Sequence, residues 1–311
     1  MPLLFSAADI ERAVSPHEAY EAVRDAFAAF ARGEWSMPPK VYVTNYPAGD
    51  FRAMPAIGGG HAILKWVTSF PGNPARGLPT VSGLVVLSDS EDGRLLAVLD
   101  AAAVTALRTA AAGVLGADTL CRPGASSHAV IGCGVNGAET VRMLVARGAE
   151  PLVWDVDENR RRAVAGRLGA RVASSAAEAL ACEIVITVTP GAEVLFSEGS
   201  LDPGQHVSLM GADGPGKAEV ALEELGRARL FCDDWEQASH GGELAAGVDA
   251  GVVRREDVTE LGAVLAGAAD GRRSADDITL FDSTGLAIQD LAIARLAYAK
   301  RGELDLQMME L

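Results

Sequence analysis

The stretch Ser127-His128-Ala129-Val130-Ile131-Gly132-Cys133-Gly134-Val135-Asn136-Gly137-Ala138-Glu139-Thr140 decides the fold of this chain. A short apolar run, which predicts a β-strand, leads into Gly-x-Gly-x-x-Gly, and a helical pattern follows. Gly132 permits a tight turn out of the strand, Gly134 lets a pyrophosphate approach the backbone, and Gly137 permits close packing of helix on strand. The motif therefore predicts a phosphate site at a helix N-terminus, where unpaired N–H groups and the helix dipole favour anions.

A second apolar run, Leu152-Val153-Trp154, ends in Asp155. An acidic residue at the tip of the second strand is placed to hydrogen-bond the hydroxyls of an adenosine ribose. The glycine motif alone also occurs in ordinary glycine-rich turns. Because a strand precedes it, a helix follows it and the acid stands at the expected distance, the combination predicts a dinucleotide-binding site.

The bulk composition limits the partners of the protein. The chain has 311 residues, of which 49% are hydrophobic and 22% charged, and a chain of this length predicts about two domains. Its formal net charge of −15 argues against nucleic acid and an anionic membrane as partners. The start of the chain lacks the pattern of a signal peptide, and no apolar run reaches membrane-spanning length. We therefore expect a cytoplasmic protein, and the scattered cysteines and histidines predict no metal site.

The order of predicted strands and helices differs between the front of the chain and the part after the glycine motif. A helix beginning after Ser15 and a series of strands from Val41 to Leu99 precede the glycine motif. From His128 onward, strands and helices alternate, which is typical of a parallel sheet covered on both faces. The helix that follows Ser283-Thr284-Gly285 is expected to return to the front of the chain, so that the Rossmann unit is an insertion.

Four cations in the front part have unusual neighbours: Lys40, Arg52, Lys65 and Arg108. Lys65 lies inside the apolar strand Ala62–Val67, on the same strand face as Ile63 and Val67. Lysine and arginine side chains are mostly exposed, so a surface position is an equally good interpretation for any single one of the four.

A carboxylate lies on the loop Gly211-Ala212-Asp213-Gly214-Pro215-Gly216-Lys217, directly after a predicted strand. Ligands of doubly wound sheets bind beyond the carboxyl ends of the strands, which makes Asp213 a candidate for acid–base chemistry. The same residues are also common in a solvated Asp-Gly turn.

With these residues set out, the chain resembles the ornithine cyclodeaminase/mu-crystallin family over essentially its whole length, and within it the archaeal-type alanine dehydrogenases. Several blocks in the right order are more specific than the glycine motif alone. The matching blocks are Met37–Tyr42, Arg52–Pro55, Leu64–Val67, Pro71–Pro74, Gly77–Thr80, Leu107–Thr109, Gly211–Lys217, His240–Glu243 and Phe281–Leu286.

The resemblance implies a discontinuous α+β substrate-binding and dimerisation domain, residues 1–118 plus about 288–311. A Rossmann domain with a doubly wound parallel sheet, residues 119–287, is inserted into it, so that the whole protein is α/β. Lys65 and Asp213 are implied as the acid–base residues. The implied substrate-binding residues are Lys40, Arg52, Lys65, Arg108 and Thr284. The implied cofactor contacts are Thr80, Arg108, Thr109, Gly132, Gly134, Val135, Asn136, Asp155, Thr189, Met210, Gly211, Ala212, Lys217 and Ser283.

The activity implied is that of an NAD-dependent, homodimeric oxidoreductase on a small amino acid or oxo/imino acid. The expected reaction is the reversible conversion of L-alanine, NAD and water to pyruvate, ammonia and NADH. Asp155 would repel the 2′-phosphate of NADP, which favours NAD, while Arg160 and Arg161 could neutralise that phosphate. Arg52 stands where the ornithine cyclodeaminases carry an acidic residue and would repel a second ammonium group. The alternatives are a ketimine or pyrroline-carboxylate reductase, an ornithine-type cyclodeaminase, and a non-catalytic ligand-binding relative.

Overall fold

The computed structural model describes residues 1–191, 193–212, 214 and 216–310. The contacts divide the chain into two compact units. Unit 1 consists of Met1–Arg108 and Leu286–Leu311, and unit 2 of Thr109–Gly285. These bounds differ from the expected ones at 118/119 and 287/288, because the first boundary falls inside a continuous helix, α3 (Ala101–Leu120), where no break in the sequence pattern marks it.

Unit 1 is built on a seven-stranded sheet in the order β15-β1-β6-β5-β4-β3-β2. In this sheet β1 pairs in parallel with β6, and the other neighbours pair antiparallel. The elements of unit 1 are β1 (Leu3–Phe5), α1 (Ala7–Ala13), α2 (Pro16–Ala31), β2 (Val41–Asn45), β3 (Gly49–Gly58), β4 (His61–Ser69), β5 (Val81–Asp89), β6 (Leu95–Asp100), α11 (Ala287–Ala299) and β15 (Gln307–Met308).

The long antiparallel strands bury one face and expose the other. In β4, Ile63, Lys65 and Val67 are buried, whereas Leu64 and Trp66 are 44% and 43% exposed. The buried face packs on α11, which contacts β3, β4 and β5 and also lies against α2. The shared face predicted for Ile63, Lys65 and Val67 is thus confirmed, and its covering helix comes from the far end of the chain.

Unit 2 contains eight strands, all paired in parallel, in the order β13-β12-β14-β11-β10-β7-β8-β9. Its elements are β7 (His128–Ile131), α4 (Val135–Ala146), β8 (Leu152–Trp154), α5 (Glu158–Leu168), β9 (Arg171–Val172), α6 (Ala176–Leu180), β10 (Ile184–Thr187), β11 (His206–Leu209), α7 (Leu222–Arg227), β12 (Arg229–Cys232), α8 (Trp235–Gly241), α9 (Ala245–Asp249), β13 (Val258–Glu260), α10 (Leu261–Leu265) and β14 (Thr279–Asp282).

The strand order reverses at β7, as the doubly wound prediction requires. From β7 the sheet extends to β8 and β9 on one side and to β10 and β11 on the other. Such a reversal opens a crevice beyond the carboxyl ends of the strands, and the glycine motif follows β7 at that point. The late strand β14 lies between β11 and β12, so residues near Asp282 are brought to the same edge.

Candidate active site

The three glycines of the motif differ in their surroundings. Gly132 has a φ of +100°, and a Cβ added there would lie 2.7 Å from the Val188 carbonyl oxygen. A Cβ on Gly137 would overlap the Gly132 carbonyl oxygen. At Gly134, by contrast, no described atom outside its own neighbours lies within 4 Å of an added Cβ. The turn therefore requires Gly132 and the helix packing requires Gly137, while at Gly134 the backbone is open to approach.

Helix α4 begins directly at this approachable point. Its N-cap is Gly134, which provides no side-chain hydrogen bond, and Val135 in its first turn is 73% exposed. The first N–H groups of a helix have no partner within the helix, so an uncapped start attracts an anion. Together with the glycines, this geometry fits a pyrophosphate of a dinucleotide.

Asp155 is held at the tip of β8 by backbone amides. Its two carboxylate oxygens accept hydrogen bonds from Cys133 N–H at 2.7 Å and Asp157 N–H at 2.8 Å, and the residue is 8% exposed. Each carboxylate oxygen has a further acceptor position, so these bonds leave capacity for ribose hydroxyls. The amide of Cys133, inside the glycine loop, thus fixes the acid relative to the turn.

The two arginines that follow Asp155 have partners of their own. Arg161 donates to the Asp155 carbonyl oxygen at 2.8 Å and lies 4.2 Å from the centroid of the Trp154 ring. Arg160 pairs with Asp157 at 3.4 Å. Arg161 is thus held by the backbone and the indole ring, and Arg160 is paired at the surface.

A buried glutamate organises the end of β10. Thr189 and Thr187 donate their hydroxyls to the two oxygens of Glu219, which is fully buried. Burial raises the pKa of Glu219. Gly211 packs against the same segment, since an added Cβ would lie 2.7 Å from the Thr189 carbonyl oxygen. Sequence reasoning found Thr189 and Gly211 but missed Glu219, which follows no strand and belongs to no motif.

The loop residues around Glu219 are tied to the block His240–Glu243. Glu243 is 1% exposed and accepts hydrogen bonds from Glu219 N–H at 2.8 Å and Val220 N–H at 2.7 Å. Burial raises its pKa to about 7. Ala212 is buried, and Met210 and Lys217 are half-buried. Asp213 lies outside the described residues, so its role stays a prediction.

Asp233, at the end of β12, holds the segment after β14. Ser283 and Thr284 donate their hydroxyls to its carboxylate at 3.0 and 3.3 Å, and Gly285 donates its N–H at 2.8 Å. Asp233 is 2% exposed. Sequence reasoning named Ser283 and Thr284 but not this acid, although its place directly after a strand is the signal that singled out Asp155.

In unit 1, Lys65 is fully buried against a carboxylate that sequence reasoning did not name. Its Nζ lies 2.8 Å from Oδ1 of Asp290, and Nε of Arg108 lies 3.5 Å from the same oxygen. Burial lowers the pKa of Lys65 to about 8; Asp290 opposes that shift, and the charges of Arg108 and Lys40 add to it.

Arg52 has a carboxylate partner as well. Its guanidinium contacts Asp50 at 2.6 and 3.2 Å, and Asp50 is 4% exposed. In the register of β3 and β4, Arg52 stands opposite Val67 and Met54 opposite Lys65, so Arg52 and Lys65 are diagonal neighbours on the buried face. Arg52 and Lys65 therefore share one sheet face, and each has an acid as its partner.

Three further predicted residues, one in unit 1 and two in unit 2, have the following surroundings. Thr80 is half-buried just before β5, and its carbonyl oxygen accepts the Phe70 N–H at 2.8 Å. Thr109, the first residue of unit 2, is buried, and its hydroxyl has no hydrogen-bond partner among the described residues. Asn136 lies in the first turn of α4 and its carbonyl accepts the Thr140 hydroxyl at 2.9 Å.

With this geometry in place, comparison with known proteins is decisive for the family. The sequence model of the ornithine cyclodeaminase/mu-crystallin family matches residues 2–303. The chain belongs to this family. An alanine dehydrogenase from Archaeoglobus fulgidus is 43% identical over 304 residues, covering 95% of this chain and 94% of that protein.

Solved structures agree with the family assignment. An archaeal alanine dehydrogenase dimer with bound NAD has a TM-score of 0.92 at 41% identity, covering 97% of this chain and 96% of that one. The Δ1-pyrroline-2-carboxylate reductase of Thermococcus litoralis, in complex with NADH and L-proline, has a TM-score of 0.91 at 28% identity, covering 97% and 98%. The predicted family and the α/β Rossmann architecture are thereby confirmed.

The described residues contain neither a membrane-spanning helix nor a metal cluster. No helix there is both long and apolar enough to cross a membrane. Within the same residues, no group of three or more histidine, cysteine, aspartate or glutamate side chains is arranged to hold a metal ion.

Proposed function

We propose that this protein is an NAD-dependent alanine dehydrogenase, which converts L-alanine, NAD and water reversibly to pyruvate, ammonia and NADH. The observation that carries the proposal is the likeness to the Archaeoglobus fulgidus alanine dehydrogenase, 43% identical over 95% of this chain. The glycine loop supports it independently, because its geometry fits a dinucleotide.

The proposed cofactor site is the carboxyl edge of the unit 2 sheet. Gly132, Gly134, Val135 and Asn136 would hold the pyrophosphate at the start of α4, and Asp155 the adenosine ribose. When bound, NAD supplies the acceptor for the hydride of the substrate Cα. The charge of Asp155, together with the partners of Arg160 and Arg161, favours NAD over NADP. The further contacts proposed are Thr80, Arg108, Thr109, Thr189, Met210, Gly211, Ala212, Lys217 and Ser283.

The proposed substrate site uses the charges of unit 1. Lys40, Arg52, Lys65 and Arg108 provide positive charges, and Asp50 and Asp290 pair with Arg52 and Lys65. Such cations favour a carboxylate-bearing substrate, although the whole chain carries a net charge of −15. Thr284, positioned by Asp233, is proposed as a further substrate contact.

Lys65 and Asp213 are proposed to manage the protons. After hydride loss the substrate is an imine, to which water adds and from which ammonia departs. Lys65 can donate and accept a proton near neutral pH because burial lowers its pKa to about 8. Asp213 is proposed as the second acid–base group from its place in the family pattern.

We also propose a homodimer formed through unit 1, the substrate-binding and dimerisation domain. The outer face of its sheet exposes a row of large apolar side chains, which monomeric proteins seldom leave uncovered. These are Val41, Val43, Leu64, Trp66 and Leu84, each between 43% and 57% exposed. Light scattering of the wild type and of a Trp66→Lys variant tests this: a dimer that the substitution weakens supports the proposal, and a wild-type monomer refutes it.

A substrate panel with purified protein tests the activity. L-Alanine, L-ornithine, L-lysine and Δ1-pyrroline-2-carboxylate are each incubated with NAD(H) and NADP(H), with absorbance of the reduced cofactor and ammonia release as readouts. We expect reduced cofactor from L-alanine and NAD, with pyruvate and ammonia in equal amounts. Absence of turnover with alanine refutes the proposal.

The second candidate is an imine reductase acting on Δ1-pyrroline-2-carboxylate or a related ketimine. It is favoured by the TM-score of 0.91 to a reductase solved with NADH and L-proline. In the same panel it predicts oxidation of the reduced cofactor by the cyclic imine and none by pyruvate with ammonia. An ornithine cyclodeaminase would instead release ammonia without a net absorbance change, and a ligand-binding relative would do neither.

A further inference from the structure

The acid that faces Lys65 comes from the other end of the chain. Asp290, in α11, is fully buried, and Lys65 is 1% exposed, with 2.8 Å between Nζ and Oδ1. A charge buried this deeply is costly unless a partner compensates it. Lys65 and Asp290 are therefore buried together as an ion pair. The roles proposed above for Lys65 do not involve Asp290.

The same carboxylate oxygen also serves Arg108. The Arg108 Nε lies 3.5 Å from Asp290 Oδ1, and its Nη1 lies 3.4 Å from the Gln289 side-chain oxygen. One acidic oxygen thus lies between an ammonium and a guanidinium that would otherwise repel each other. Gln289 fixes the guanidinium from the adjacent position of the helix.

The polar groups at this place are only partly used. Asp290 Oδ2, Gln289 Nε2 and Arg108 Nε are buried and have no hydrogen-bond partner among the described residues. Buried polar atoms normally have partners, and those that lack them often mark a functional position. A cluster built only to stabilise the fold would satisfy these atoms.

We propose that Asp290 is a positioning residue, which holds the Lys65 ammonium and the Arg108 guanidinium at one oxygen and keeps Lys65 charged until it acts. The assignment rests on the proposed function in that Lys65 is the acid–base residue. Asp290 itself need not touch the substrate. Its negative charge stabilises the charged form of Lys65 and so opposes the lowering of the Lys65 pKa by burial.

The charges that face Lys65 come from several elements. Asp290 approaches from α11 and Arg108 from α3, while Lys40 acts from the segment before β2. On the adjacent strand β3 the next charged groups are Arg52 and Asp50, which pair with each other. Among the described residues, the other groups whose charges act on Lys65 are the cations Arg108 and Lys40, so removal of the Asp290 charge is expected to lower the Lys65 pKa.

The first test is the pH dependence of kcat/KM for wild type and Asp290→Asn, with the substrate that the panel identifies. Removal of the charge lowers the pKa of Lys65, so the limb of the profile that belongs to Lys65 moves to lower pH by about one unit or more. This direction is the same whether Lys65 acts as acid or as base. An unmoved limb with reduced kcat overturns the proposal, because a purely structural role has that effect.

A second readout needs no turnover and so separates this inference from the proposed function. Cyanate carbamylates neutral amines, and mass spectrometry follows the peptide that contains Lys65 over a series of pH values, with the exposed α-amino group of Met1 as internal reference. We expect Lys65 in Asp290→Asn to be modified about fivefold faster than in wild type at pH 7, because a one-unit fall in its pKa raises the neutral fraction by that factor. Equal rates overturn the role of Asp290 even if alanine is turned over; faster rates in a protein without turnover refute only the proposed function.

The matched control is Glu18→Gln, which removes the carboxylate from another lysine pair of unit 1, that of Lys300. In Glu18→Gln we expect no change in the pH of the Lys65 limb of the kcat/KM profile and no change in the rate at which Lys65 is carbamylated. If Asp290→Asn does not fold, the double variant Lys65→Gln/Asp290→Asn replaces the pair with two neutral amides. Recovery of folding in the double variant supports the pairing, and failure to recover assigns Asp290 to the fold alone.

Discussion

The two units build their candidate sites in opposite ways. In unit 2 the turn, the helix start and the acid that fixes the turn lie between Gly132 and Asp155, so one short stretch contains the chemistry and its geometry. In unit 1 the lysine proposed for acid–base chemistry, Lys65, is on β4, and its counter-ion, Asp290, is on α11, 225 residues later. A local site can be recognised from its motif. In a distributed site the two partners of each contact lie far apart in the sequence, so no single stretch contains both.

The difference also separates two tasks. The unit 2 loop offers backbone groups, which bind phosphate without titrating. The unit 1 cluster offers charged side chains whose protonation depends on one another. Binding and proton transfer should therefore fail independently, and the following variants test that independence.

The largest effect is expected for Lys65→Ala and Asp213→Ala. Loss of an acid–base group costs about 10²- to 10⁴-fold in turnover, while the dissociation constant for NAD, measured by fluorescence, should change little. Normal turnover in either variant would refute its assignment. A parallel loss of NAD affinity would show that proton transfer and cofactor binding do not fail independently.

Two glycine substitutions sharpen the comparison within unit 2. Gly137→Ala forces a methyl group into the Gly132 carbonyl and should lower the free energy of unfolding by about 1–3 kcal/mol. Gly134→Ala meets no described atom, so its thermal midpoint should stay near wild type while NAD binding weakens about tenfold or more. Calorimetric unfolding and NAD titration distinguish them; equal effects of the two variants on stability would contradict the geometry.

Asp155→Asn tests the choice between the cofactors. Without the negative charge, the preference for NAD over NADP in kcat/KM should fall about tenfold or more, because like charges in a binding site cost several kcal/mol. Glu158→Gln, which removes a neighbouring exposed acid on α5, is the control and should leave the preference intact. An unchanged preference in Asp155→Asn would mean that another residue excludes the phosphate.

The smallest effect is expected for the pair of Glu18 and Lys300 in unit 1. Hydrogen bonds from Lys300 and Ser15 lower the pKa of Glu18 from 4.5 to about 2, so its contribution is present above pH 4.5 and is lost as the pH falls towards 2. The pair is partly exposed, so Glu18→Gln should cost about 1 kcal/mol or less at pH 7. Urea unfolding at pH 7 and pH 2 measures the difference, which should vanish at the lower pH.

The parts of the fold that repeat a strong local pattern were predictable. The strands β7, β11 and β12 begin and end where the apolar runs do, and the capping box of Ser15 and Glu18 starts α2 as expected. The strands β1, β9, β13 and β15 were not predicted, because a strand of two or three residues is too short to show a periodic pattern. Their pairing depends on neighbours from elsewhere in the chain.

The predictability of the site followed the same rule. Gly132, Gly134 and Asp155 were recognised with their geometry, since all three belong to one motif. Lys65 was singled out, but the acid that sets its charge was not, because Gln289-Asp290 looks like an ordinary polar interruption in an apolar helix. Only the packing of α11 on β4 brings that acid to the lysine.

The distance of 225 residues along the chain between Lys65 and Asp290 has a consequence for biosynthesis. On the ribosome, β4 emerges long before its counter-ion is translated, while unit 2 can complete its sheet first, since domains generally fold as they are made. Products of premature termination before α11 would carry an uncompensated lysine and an uncovered apolar sheet face. Chains that lack α11 are therefore expected to aggregate more readily than the full chain, because exposed apolar surface promotes aggregation.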